Sequence, residues 1–201
     1  MTLNVGIYLF NHVEVLDFAG PFEVFTTASR VAQRRELAAP PPFHTFSVAH
    51  HAGPVRARAG LAVLPDYTLE DAPAIDLLLI PGGVVDAELA DVAVLDWIAE
   101  RAKAARITAS VCTGAFLLAK AGLLAGHTAT THWEDIADLR AQFPTLTVRD
   151  DVRWVDEGSV VSSAGIAAGI DMSLHLVARL ASPALAEATA RQMDVPYRPH
   201  P

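Results

Sequence analysis

The chain has 201 residues, 52% of them hydrophobic, with a mean hydropathy of +0.31; that is enough to build a sizeable core without disulfide or metal staples. Its 15 basic and 23 acidic residues leave a formal charge of −8, which excludes the clustered Lys and Arg of a nucleic-acid-binding surface. A single cysteine excludes an internal disulfide framework and any CxxC metal or redox motif, so nothing requires an oxidising compartment.

The start, "MTLNVGIYLF", lacks the basic residues and cleavage site of a signal peptide, and no apolar run approaches the ~20 residues of a membrane span. A cytoplasmic protein with no membrane partner is expected. "LNVGIYLF" predicts a buried strand ended by Asn11 and His12, and "GPFEVFTTASRVAQ" a helix with Pro21 in its first turn. Asp17 falls between them, where it reads either as a functional carboxylate or as a helix cap. Arg34, Arg35 and Glu36 form the only basic cluster, which reads as a solvated helix end. Pro40, Pro41 and Pro42 break the chain before a strand, "FHTFSVAH", and "VRARA" and "LAVLP" flank a turn at Gly60 in a peripheral hairpin. His50 and His51 would point to opposite sides of a strand, which rejects them as a metal pair.

"IDLLLIPGG" is a continuous apolar strand closed by Pro81, Gly82 and Gly83, the pattern of a central parallel strand buried on both faces. A helix around "VLDWIAERAKAA" follows. The β-branched run Ile107 to Val111 then delivers Cys112 to a Thr-Gly pair, after which an apolar helix begins with Ala115. Such a strand-to-helix turn can lift a side chain above the sheet edge among free helix N–H groups, and that favours a thiolate that alkylates quickly near neutral pH. A small hydrophobe in the core is the competing reading of Cys112. "HTATTHW" predicts a further strand and "EDIADLRAQF" a helix; Asp156 to Ser159 turn a hairpin, and "IAAGIDMSLHLVARLA" and "PALAEATARQM" close the chain as helices. His132 either lines a pocket or is structural, and Trp133 is core or pocket wall.

Strands and helices alternate with no repeat or linker, so one α/β domain over 1–201 with a mainly parallel central sheet flanked by helices is expected. In such sheets the crevice beyond the strands' carboxyl ends holds the ligand, and Asp17, the Pro81-Gly82-Gly83 turn and Cys112 all fall there. No group of His, Cys or carboxylates has metal-ligand spacing, so no metal is expected.

"VLDFAGPFEVF", "LLLIPGG", "SVCTGAFLLAKAGLLAGHTATTHW" and "SSAGIAAGIDMSLHLV" together resemble the ThiJ/PfpI cysteine superfamily, in its isonitrile hydratase branch and the amidase-like domains of AraC-type transcription regulators. The resemblance spans nearly the whole chain and implies a flavodoxin-like sandwich, a homodimer, a small-molecule substrate and no cofactor. It implies Cys112 as nucleophile, Asp17 as its acidic partner and Thr113 as the residue hydrogen-bonding near that acid. Gly82 and Gly83 would turn backbone N–H groups toward the thiolate, and His132 joins the substrate-binding set. The peptidases of the superfamily place His directly after the cysteine; here Thr113 stands there, which argues against proteolysis. Three functions follow: hydration of an isonitrile to an N-substituted formamide, a ligand-sensing module related to the regulators, and a glyoxalase- or deglycase-type activity on reactive carbonyls.

Overall fold

A computed structural model describes residues 1–35 and 40–201, so Glu36 of the basic cluster lies outside the described residues. The first half of the chain forms β1 (Leu3–Leu9), α1 (Val15–Arg34), β2 (Phe43–Ala49), β3 (Val55–Arg56), β4 (Ala62–Val63), β5 (Tyr67–Thr68), β6 (Leu77–Ile80), α2 (Asp86–Ala90) and α3 (Val92–Ala104). The second half adds β7 (Ile107–Val111), α4 (Gly114–Lys120), β8 (Thr128–Ala129), α5 (Ile136–Gln142), β9 (Thr147–Val148), β10 (Trp154–Asp156), β11 (Val160–Ser163), α6 (Ala168–Leu180) and α7 (Pro183–Met193). Seven strands make one sheet in the order β10-β11-β7-β6-β1-β2-β5, parallel except for the antiparallel β10–β11 hairpin. Every residue of β6 and β7 is buried; β6 is apolar throughout, and β7 carries Thr108 and Ser110 among its apolar residues. Helices flank the sheet: α1, α6 and α7 pack together, and α2, α3 and α4 form a second packed group.

From β1 the chain runs to β2 on one side, whereas β6 and β7 add on the other, so the strand order reverses at the carboxyl ends of β1 and β6. Connections there diverge and leave a crevice.

Three elements differ from expectation. Helix α1 begins at Val15, not after Gly20, which places Pro21 inside it and Asp17 in its first turn. α1 packs closely against α6: a Cβ on Gly20 would lie 2.9 Å from Ile170 Cγ1, so glycine allows this approach. "HTATTHW" is strand only at β8, which pairs with β9 outside the main sheet. Beyond it the backbone is held by side chains instead of a ladder: Thr130 N–H donates to Ser162 Oγ, and Thr131 Oγ1 donates to the Cys112 carbonyl at 2.8 Å. Finally, His50 and His51 lie past the end of β2, so strand alternation does not govern them and their rings stack, 4.0 Å between centroids.

Candidate functional site

Cys112 follows β7 directly and adopts φ +56°, one of four non-glycine residues with positive φ among those described. A left-handed conformation costs a side-chain-bearing residue roughly 1–2 kcal/mol. It persists because the peptide is pinned on both sides: Cys112 N–H donates to the Ser163 carbonyl, and its own carbonyl accepts Thr131 Oγ1 and the Ala115 N–H that opens α4. The expected strand-to-helix elbow is therefore formed, with the thiol 7% exposed.

Asp17 reaches this elbow from α1, and its side chain is 0% exposed. It is not a helix cap: Glu14 occupies the cap position, and Asp17 Oδ2 instead accepts the Gly82 N–H at 3.0 Å. Oδ1 is sealed from solvent without a hydrogen-bond partner, and the Cys112 thiol adjoins the carboxyl. Burial, reinforced by the charge of Glu14, raises the carboxyl from its ordinary 3.8 to about 7; the Gly82 N–H, the thiol and Arg58 pull the other way.

The same burial pushes the Cys112 thiol up, and the Asp17 carboxylate adds to it. The Thr113 N–H and hydroxyl favour the thiolate, as an elbow should, yet they are outweighed. The expected low-pKa cysteine is thus corrected. A dry site holding two acids keeps one negative charge more cheaply than two, so the carboxyl and the thiol titrate as a coupled pair.

Thr113 bonds to Gly83, not to Asp17: the Gly83 N–H donates to Thr113 Oγ1, and that hydroxyl donates to the Gly83 carbonyl, both at 2.9 Å. The amides of Gly82 and Gly83 are thereby engaged, one by Asp17 and one by Thr113, and the N–H turned to the sulfur is that of Thr113. Gly82 must lack a side chain, because a Cβ there would lie 2.6 Å from both Thr113 N and Oγ1 and 2.9 Å from Asp17 Oδ2.

The sulfur opens on a cavity of about 440 Å³ lined by Cys112, Thr113, Gly83, His132, Trp133 and Arg58, among others. Trp133 is 73% exposed, a rim residue and not core. The hairpin β3–β4, which looks peripheral in sequence, delivers Arg58: its N–H donates to the Val13 carbonyl and its guanidinium lies 3.2 Å from Glu14 Oε2 in the cavity wall. Arg58, Glu14, Asp135 and Gly165 were not legible as site residues. For Asp135, the signal was its spacing three residues after His132; for Gly165, its place in the Ser-Ser-Ala-Gly run after β11. No group of three or more His, Cys, Asp or Glu side chains is arranged to hold a metal among the described residues.

The geometry is matched by comparison. Residues 4–179 fit the DJ-1/PfpI family model. An isonitrile hydratase of Pseudomonas putida is 36% identical over 202 residues, covering 100% of this chain and 81% of the hydratase. The HTH-type transcriptional regulator GbdR of Pseudomonas aeruginosa is 31% identical over 88% of this chain, which spans 46% of the regulator's length. A crystal structure of a ThiJ/PfpI family protein from Pseudomonas syringae superposes with a TM-score of 0.84 at 29% identity, covering 100% of this chain and 77% of that one. With the parallel sheet, the cysteine elbow and nearly the whole length accounted for, the chain belongs to the DJ-1/PfpI family.

Proposed function

We propose that this chain is a cysteine-dependent small-molecule enzyme of the isonitrile hydratase type, acting without metal or organic cofactor. The observation that carries the reading is the pairing of Cys112 with Asp17, a carboxyl poised near neutrality by burial and adjoined by the thiol it would deprotonate. A base with a pKa near the working pH transfers protons most effectively. As the Cys112 sulfur forms its bond to the terminal carbon of R–N≡C, the thiol proton passes to Asp17, and Asp17 returns it to that carbon. The product is the thioimidate R–N=CH–S–Cys112. Water adds to its carbon, the nitrogen takes a proton, and the C–S bond breaks with its electron pair leaving on sulfur. N-substituted formamide and free thiol result, with no change of oxidation state overall. A cavity of about 440 Å³ accommodates a small molecule and no folded partner.

The resemblance to the hydratase over its 81% coverage favours this reading, as does a buried acid beside the thiol whose carboxyl is shifted toward neutrality by burial. A ligand-sensing role is the second reading, favoured by the 31% identity to a transcriptional regulator twice as long as the matched region. Turnover of n-butyl isonitrile to the formamide, abolished in Cys112→Ala, tests the first reading. Absence of turnover together with protection of Cys112 from alkylation by small molecules would replace it with the second. We extend the reading to a single domain and to a homodimer, checked by light scattering at micromolar concentration; a monomer there overturns the dimer.

A further inference from the structure

A second cavity, of about 250 Å³, lies at the carboxyl ends of β1 and β2. Three stretches of backbone contribute to both cavities. The turn after β1 places Asn11 in the second and Glu14 in the first; the segment after β2 places His50 and Val55 in the second and Arg58 in the first; the loop after β6 places Gly83 in the first and leads to Glu88 in the second. These stretches are bonded to one another. His12 N–H donates to the Arg56 carbonyl at 2.7 Å, the His12 carbonyl accepts the Val84 N–H at 3.2 Å, and Arg56 N–H donates to Asn11 Oδ1 at 2.9 Å. Backbone tied in this way keeps the cavity preformed.

Leu9, Phe10, Ala49 and Val55, all buried, give the second cavity an apolar side. Its charge has one sign: Glu88 and Asp91 line it, and neither Lys nor Arg does. Asp91 is fully engaged, since Oδ1 accepts the Ala93 and Val94 N–H groups at the start of α3 and Oδ2 lies 3.0 Å from His50 Nδ1. That carboxylate favours a proton on Nδ1 and leaves Nε2 of His50 as an acceptor. The His50 ring is further held by His51, which stacks on it with 4.0 Å between centroids. Glu88 is only half engaged. Its Oε2 accepts the hydroxyl of the fully buried Tyr8, and Oε1 has no hydrogen-bond partner among the described residues. Burial raises the Glu88 carboxyl and Asp91 adds to it, an effect that the Tyr8 hydroxyl and His50 offset only in part.

The cavity is therefore short of one positive charge and of N–H donors. Glu88 Oε1 and His50 Nε2 are two acceptors, which an ammonium bearing N–H bonds satisfies and a quaternary ammonium does not. A metal ion finds no group of three ligands among the described residues, whereas an alkyl chain finds the apolar side. We propose that this cavity is a second binding site, taking a small primary alkylammonium ion between Glu88 and His50 with its chain against Leu9, Phe10 and Val55. Binding is non-covalent, and no proton changes hands.

The probe is n-butylammonium chloride, titrated into the full chain near neutral pH at constant ionic strength while the histidine ring resonances are followed by NMR. His50 and His51 report the second cavity, and His132 reports the first. The first two should shift together and saturate in the low-millimolar range while His132 stays unmoved. Tetramethylammonium, with the same charge and no N–H, should bind about tenfold more weakly or worse, and butyrate should not bind. Glu88→Gln keeps an acceptor for the Tyr8 hydroxyl and loses the charge, so affinity should fall by about tenfold or more. Tyr8→Phe leaves the Glu88 charge in place and should bind within about threefold of wild type, which separates lost recognition from disturbed packing. No saturable shift in the wild type, shifts at His132 alone, equal binding of tetramethylammonium, affinity unchanged in Glu88→Gln, or equal loss in both variants overturns the assignment. Each of these outcomes is read without isonitrile turnover, so the site stands or falls separately from the hydratase reading.

Discussion

Asp17 Oδ2 accepts the Gly82 N–H at 3.0 Å, and this one bond ties the first turn of α1 to the loop after β6 beside the nucleophile. It satisfies one oxygen of a carboxyl group that is fully buried and leaves the other without a hydrogen-bond partner. Such an arrangement stores a pH-dependent cost.

That cost sets the first prediction. A carboxyl raised from 3.8 to about 7 on folding contributes stability that is fully present below pH 3.8 and is lost as pH rises through 7. At about 1.4 kcal/mol per pH unit the whole effect is roughly 4 kcal/mol. Asp17→Asn removes the titration, so its stability relative to wild type should climb between pH 4 and pH 7 and level off above pH 8. Urea unfolding across that range is the measurement. A constant difference between the two proteins would mean that Asp17 is not held near neutrality.

Gly82 is predicted to be intolerant of even one methyl group. The added Cβ would meet the Thr113 backbone nitrogen at 2.6 Å, an atom of the elbow that cannot swing away. Gly82→Ala should cost about 1–3 kcal/mol and displace Thr113 and Asp17 together, so that turnover falls further than stability alone explains. A variant with wild-type midpoint and rate would show that the loop relaxes freely.

The positive φ of Cys112 yields a third prediction, in which function and stability oppose each other. Cys112→Gly should be more stable than Cys112→Ala by about 1 kcal/mol, since both lose the thiol and only alanine keeps a Cβ in the left-handed conformation. Equal midpoints in thermal unfolding would remove the claim that the elbow is strained.

How much of this was legible in the sequence depends on whether a feature is local. Strand β6 and the elbow after β7 announce themselves, because β6 is apolar throughout and a Thr-Gly pair marks where β7 turns into helix. The start of α1 was not legible: Pro21 marks a first turn by local rules, yet the helix already runs from Val15. Thr130 and Thr131 read as strand by propensity, yet their hydrogen bonds go to Ser162 and Cys112, partners 32 and 19 residues away. Arg58 escaped notice for a similar reason, since a short hairpin carries no sign of the cavity it overhangs. The pKa of Cys112 was misjudged because helix-end donors are visible in sequence and burial is not.

The last prediction concerns the reactivity of Cys112 and the sign of its coupling to Asp17. In the wild type, burial and the neighbouring carboxylate both raise the thiol, so the pH midpoint of iodoacetamide labelling should lie above the ordinary thiol value of ~8.5. Asp17→Asn removes one of the two causes while leaving the Thr113 donors in place, so its midpoint should fall and its labelling near neutral pH should quicken. Catalysis should move the opposite way. An amide cannot take the thiol proton or return it to carbon, so isonitrile turnover should drop by about two or more orders of magnitude in the same variant that alkylates faster. A thiol that is merely reactive would show labelling and turnover changing together. If Asp17→Asn keeps more than about a third of the wild-type turnover, Asp17 carries no proton in the reaction and its burial beside Cys112 is structural.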